Sequence, residues 1–195
     1  MARATLDASG LTYRDLNARM RELAQEHEVL DVRSVNGQRY LGTGLRSTCT
    51  IEVHGTPGQD LGAFLAGPDV HVFGNAQDGV GNTMTQGRIV IHGSAGHVLA
   101  LSARGGRVFV AGDVGPRAAI HMQGTGNVMP IAVIGGSAGP FLGEYMSGGT
   151  VVVLNTSAGG AGGRRWRSAG TVAAGIHGGT IFVRGAVDRK AIWDG

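Results

Sequence analysis

Several residues in this chain have the types and spacing to do chemistry. His54 and His92 each close a β-branched run, Ile51-Glu52-Val53-His54 and Ile89-Val90-Ile91-His92, and imidazoles displayed in this way could ligate a metal. Gly42-x-Gly44, Gly79-x-Gly81 and Gly124-x-Gly126 resemble fragments of a dinucleotide fingerprint, in which glycines let the backbone approach a pyrophosphate. Arg164, Arg165, Trp166 and Arg167 follow a run of glycines in GGAGGRRWR, a combination able to stack on a base, clamp a phosphate or dock a partner. Glu144-Tyr145 is an acidic–phenolic pair, and Cys49 is the only thiol.

What positions these residues is a repeat. Gly55, Gly74, Gly93 and Gly112 recur at one constant interval, each ending a β-branched run. Gly136 follows after the same interval plus a short insert around Gly124 to Val128. Asn155 restores the regular interval, and Gly185 comes after one more period and a longer insert over 157–170. A fixed period of about 20 residues, closed by glycine, marks a stacked solenoid.

Four places before these anchors stand Ile51, Val70, Ile89, Val108, Ala132, Val151 and Ile181. Two before stand Val53, Val72, Ile91, Val110, Ile134, Val153 and Val183, while the residues between vary freely. Such period-2 alternation predicts strands with one face in a shared core. A second inward column follows six places after the anchor, at Leu61, Val80, Leu99, Ala118 and Leu142. Small residues recur two after it, at Ala76, Ala95, Ala138 and Ser157. The pattern predicts an all-β, single-stranded parallel β-helix of about seven 19-residue rungs and leaves its handedness open.

Most of the chemical motifs then become structural. None of the Gly-x-Gly fragments joins a strand to a helix in a βαβ unit, so corner turning explains them. Phe73 lies between His54 and His92, and two rungs of about 4.8 Å separate these imidazoles too widely to share an ion. His97, His121 and His177 fall on corners without a carboxylate close in sequence. One cysteine excludes an intramolecular disulfide and a Cys-based zinc or iron–sulfur site within the chain. No catalytic, cofactor-binding or metal-binding residue is expected. Arg164, Arg165, Trp166 and Arg167 remain as candidate partner-docking residues.

The 195 residues make one domain's worth of chain, and the 5% aromatic content suits a narrow aliphatic interior. The net charge of +3 is accounted for by the arginines of the 157–170 insert, which argues against a nucleic-acid face along the solenoid. No apolar stretch reaches membrane-spanning length, and MARATLDASG has no signal-like core, so a cytoplasmic location is expected. Residues 1–29 form a separate N-terminal segment ahead of a β-helix over 30–195. Within it, Leu16, Met20 and Leu23 at helical spacing, with Thr12 and Asp15 as a capping pair, predict an amphipathic helix over 11–26 that covers the end of the stack. LDVRSVNG, 30–37, reads as a lead-in strand or degenerate first rung.

The stretches GNTMTQGRIVIHGSAG (81–96), GGRVFVAGDVG (105–115), GEYMSGGTVVVLN (143–155) and IHGGTIFVRGAV (176–187) resemble the GXGXG β-helix at the C-terminus of the glutamate synthase large subunit. The resemblance implies a right-handed helix and a non-catalytic structural subunit of a glutamate synthase-like complex, such as an N-methylglutamate synthase. It implies a hetero-oligomer with a class-II glutamine amidotransferase subunit and an FMN-dependent synthase subunit. FMN and an iron–sulfur cluster would then sit on those partners. The alternative is a scaffold like the GXGXG-type subunit of formylmethanofuran dehydrogenase, or of a formyltransferase/hydrolase complex. A polysaccharide lyase is a weaker third reading, because no carboxylate and basic cleft is visible.

Overall fold

In a computed structural model, residues 2–124, 126–156, 171–185, 187 and 192 are described. The candidate docking residues Arg164, Arg165, Trp166 and Arg167 lie outside them. Nine strands pair in sequence order, all parallel: β1 (Arg3–Asp7), β2 (Val29–Asn36), β3 (Thr50–Thr56), β4 (Ala66–Phe73), β5 (Gln86–Ile91), β6 (Arg107–Val110), β7 (Ile131–Ile134), β8 (Ser147–Val153) and β9 (Gly178–Val183). The chain is a right-handed parallel β-helix.

The register is the one the glycine anchors predict. Ile51, Val70, Ile89, Val108, Ala132, Val151 and Ile181 are paired rung to rung, and so are Val53, Val72, Ile91, Val110, Ile134, Val153 and Val183. Both columns extend backwards through β2, at Leu30 and Val32. All but the two on β9 are buried. The sheet also starts before residue 30, because β1 pairs with β2 and puts Leu6 beside Val32. A five-residue strand without a glycine anchor carries too little pattern to be read from sequence.

Helix α1 (Tyr13–Glu26) therefore lies between the first two strands instead of ahead of the stack. Thr12 caps it, accepting from the Asp15 amide at 3.3 Å and donating its hydroxyl to the Asp15 carboxylate at 2.7 Å. Leu16, Met20 and Ala24 enter the same apolar cluster as the strands, and Leu23 packs against its margin. Buried Asn17 donates to the carbonyls of Tyr13 at 2.7 Å and Arg39 at 3.0 Å, tying the helix to the first corner of the solenoid.

The side of each rung opposite the anchors carries left-handed residues at alternate positions. Asp60, Gly62 and Phe64 have φ of +59°, +65° and +56°. The triplet recurs as Gly79/Gly81/Thr83, Val98/Ala100/Ser102, Arg117/Ala119/His121 and Phe141/Gly143/Tyr145. The outer members donate to the following rung, as Asp60 N–H does to Asp78 O at 2.9 Å and Phe64 N–H to Asn82 O at 2.8 Å. The middle member donates to the preceding rung, as Gly62 N–H does to Leu41 O at 2.8 Å. The backbone is satisfied in both directions without a second strand.

The intervening residues supply two inward columns. Leu61, Val80, Leu99, Ala118 and Leu142 are the expected one; Leu45, Leu65, Met84, Ala103, Met122 and Met146 form another. The small bridging column is Ala76, Ala95, Val114 and Ala138, whereas Ser157 lies outside the described residues. Not every anchor glycine is needed for its φ. At Gly93 an added Cβ would meet Asn75 Oδ1 at 2.3 Å and Gly74 O at 2.7 Å, so close rung approach excludes a side chain.

Two outcomes are expected of stability measurements. Val110→Asp, which places an unpaired charge in the core, should abolish cooperative folding by circular dichroism. At buried Ala119, φ +59°, a valine combines left-handed strain with overpacking and should lower stability by about 2–4 kcal/mol. Glycine there relieves the strain while losing a methyl, and should stay within about 1 kcal/mol of wild type in denaturant titrations.

Candidate functional site

The residues between the two inward sheet columns point away from the core, and their chemistry changes along the stack. On the early rungs they are Asp31, Glu52 and His71; beyond these come Val90, Phe109, Val133, Val152 and Phe182. The polar rungs β2 to β5 also display Arg33, His54, Asp69, Phe73, Arg88 and His92, and β1 adds Arg3. Parallel in-register pairing is what brings residues from 3 to 92 onto one surface.

Asp31 is the buried member of this group, at 5% side-chain exposure. Its Oδ2 accepts from Arg33 Nη2 at 2.7 Å and Nε at 3.0 Å, with Arg3 Nη1 at 3.9 Å. Its Oδ1 is buried without a hydrogen-bond partner; His54 Nε2 stands 3.4 Å away outside hydrogen-bond geometry. Glu52, beside Asp31 in register, receives both terminal nitrogens of Arg3, at 2.7 and 3.3 Å. This contact raises the Arg3 pKa, chiefly through the hydrogen bond to Glu52. Among the described residues, only Asp31, Glu52 and His54 bring three potential metal-ligand atoms within 4.8 Å of one another.

One strand further on, Asp69 accepts from Arg88 Nε at 2.8 Å and from Arg88 Nη2, with His71 Nε2 at 3.3 Å. Burial pushes the Asp69 carboxyl up, but the hydrogen bonds from Arg88 and the charges of His71 and Arg88 outweigh it. The group therefore titrates below the ordinary carboxylate value. Above this pair, His54, Phe73 and His92 stack face to face, with centroids 4.9 and 4.8 Å apart and planes inclined by 16° and 9°. The ring spacing is the rung spacing, so the sheet itself sets the stack.

Other chemistry-bearing residues have separate partners. Cys49 is buried, its Sγ 3.1 Å from Ser47 Oγ. Glu144 pairs with Arg117 at 3.6 Å, while Tyr145 stacks on His121 at 5.3 Å. The His97 amide donates to Asp78 Oδ1 at 2.7 Å as part of a corner ladder. Gly42, Gly44, Gly79 and Gly81 all have positive φ and serve the left-handed corners, as the repeat predicts. The convergence of Asp31 with Glu52 and His54 is not among the sequence expectations. A signal for it exists: extending the rung alignment back to LDVRS places Asp31 opposite Glu52 and brings Val32 opposite Val53.

The GXGXG motif family model matches residues 30–191. An uncharacterized protein of Methanocaldococcus jannaschii is 46% identical over 198 residues, covering 98% of this chain and 75% of that protein. The NADPH glutamate synthase large chain of Azospirillum brasilense is 33% identical over 69% of this chain, and ferredoxin-dependent glutamate synthase 2 of Synechocystis is 36% identical over 60%. The matched stretches amount to 10% and 8% of those two enzymes. No solved structure matches. No helix among the described residues is long and apolar enough to cross a membrane.

The Asp69 pair makes a pH-dependent prediction. A carboxyl whose folded pKa is depressed adds stability above its unfolded value of about 4, and that contribution is lost as pH falls through the lower folded value. Asp69→Asn should therefore melt below wild type at pH 7, with the gap closing in thermal melts carried below pH 4.

Proposed function

The chain belongs to the GXGXG motif family, and from that membership we propose that it is a non-catalytic structural component of a glutamate synthase-like assembly. The observation that carries the reading is the similarity to glutamate synthases over 60–69% of the chain. An uninterrupted nine-strand sheet with one continuous core gives a rigid column with long flanks, suited to holding other parts at fixed separations.

In this reading the column holds a class-II glutamine amidotransferase subunit and an FMN-dependent synthase subunit in one cytoplasmic hetero-oligomer. Ammonia released from glutamine then reaches the acceptor without leaving the assembly, as in an N-methylglutamate synthase-like complex. The FMN and the iron–sulfur cluster reside on the partners. A cluster of that kind needs several thiolates, and this chain has Cys49 alone. The similarity to glutamate synthases supports this reading over the formyl-transfer alternative. Arg164, Arg165, Trp166 and Arg167 are the proposed docking residues, since Trp and Arg are enriched at the energetic centres of interfaces.

Co-expression with a class-II glutamine amidotransferase subunit and an FMN-dependent synthase subunit should yield one complex on size exclusion. Replacing residues 164–167 with Gly and Ser should leave the melting transition in place, because they fall in an insert outside the repeating aliphatic columns of the sequence, yet weaken co-purification. A chain that elutes alone beside both partners, or that assembles instead with a zinc amidohydrolase and a formyltransferase, would overturn the proposal. Wild-type assembly by that variant would move the docking surface to the sheet flanks.

A further inference from the structure

The geometry points to a divalent transition-metal site of the zinc class on the outward face of β2 and β3, formed by Asp31, Glu52 and His54. Three features lead to it. The first is donor chemistry: one imidazole with two carboxylates is a set that zinc and its neighbours accept. The second is the state of Asp31. Its side chain is 5% exposed, its Oδ1 is buried, and that oxygen has no hydrogen-bond partner. Arg33 satisfies only Oδ2, so the carboxylate is oriented by one oxygen and presents the other to the cluster. A buried anionic oxygen that accepts no hydrogen bond is a place where a cation can bind, with His54 Nε2 standing beside it at 3.4 Å.

The third feature is distance. Two ligands bound tetrahedrally to zinc, each at about 2.1 Å, lie about 3.4 Å from each other. His54 Nε2 and Asp31 Oδ1 are 3.4 Å apart. That contact lacks hydrogen-bond geometry, and its length matches the spacing of two ligands on one ion. Glu52 completes the group, with all three ligand atoms within 4.8 Å of one another, and a side-chain rotation would bring it to the same spacing. The scaffold favours this arrangement because Asp31 and Glu52 are register partners on adjacent strands, and His54 follows Glu52 by two positions on the same face.

Arg3 is the internal competitor. Its guanidinium holds both Glu52 oxygens and lies 3.9 Å from Asp31 Oδ2, in the place of positive charge that an ion would take. With 49% of its side chain exposed, Arg3 can release Glu52 to the ion and turn into solvent. Metal binding and the Arg3–Glu52 pair are therefore mutually exclusive states of this surface. Arg33 stays on Oδ2 and fixes the carboxylate for the metal, as outer partners of metal ligands do.

The test uses the full chain, stripped with a chelator and titrated with zinc chloride by calorimetry, with cobalt(II) visible absorption as a second readout. One equivalent should bind to wild type, and Asp31→Asn and His54→Ala should each weaken binding by at least about tenfold. Arg3→Gln should tighten it by removing the competitor. His92→Ala alters an imidazole on the same face outside the ligand set, and should leave affinity unchanged. The surface positions His54 and Arg3 keep the test meaningful even if Asp31→Asn fails to fold. Substoichiometric zinc uptake, wild-type affinity in His54→Ala, no gain in Arg3→Gln, or a loss in His92→Ala equal to that in His54→Ala would each overturn the site.

Discussion

A side chain at the middle left-handed position of each rung points into the core, against an aliphatic residue of the sheet. At Gly62 an added Cβ would lie 2.6 Å from Ile89 Cδ1, and at Gly143 it would lie 2.4 Å from Ile181 Cδ1. The column running through this position is Gly42, Gly62, Gly81, Ala100, Ala119, Gly143 and Ala173, with nothing larger than a methyl. Two demands coincide there: a backbone conformation costly for most residues, and a space that admits little. The rung closes because both are met together. Sheet register, the inward leucines and methionines, and the outward surface all follow from that closure. The Gly-x-Gly pairs Gly42/Gly44 and Gly79/Gly81 of this chain fall on the left-handed alternation.

The same closure decides which parts of the fold are legible in the sequence. Strand registers are readable because Ile51, Val70 and Ile89 repeat with unvarying period beside a glycine. The inward column of Leu65, Met84, Ala103, Met122 and Met146 is not. Val98, Ser102, Arg117 and His121 adopt left-handed φ without being glycine, so the alternation that would expose the column is broken in sequence. Strand β1 is hidden for a different reason: α1 interrupts the rung between it and β2, and no anchor glycine marks it. Of the outward face, the stack of His54, Phe73 and His92 follows from the repeat. The approach of Asp31 and Arg3 to Glu52 does not, since it depends on rungs that lie outside the repeat read from the glycines.

The outward face therefore has two chemistries on one scaffold. Charged pairs and imidazoles occupy the rungs nearest α1, where Asp31, Glu52 and Asp69 each have an arginine within reach. Toward β9 the same column becomes Val133, Val152 and exposed Phe182. Because the core beneath is uniform, this change adds no strain to the rungs, and surface composition can vary along the column independently of the fold.

The parallel, in-register pairing of β3 through β6 has a geometric consequence of its own. Adding or removing one complete 19-residue unit in that stretch would keep the parallel pairing and the alternation of inward and outward positions. What would change is length, by one strand spacing of about 4.8 Å. The molecule is thus a ruler with a fixed graduation, and any two bodies fastened to it can be set apart only in whole steps of that size.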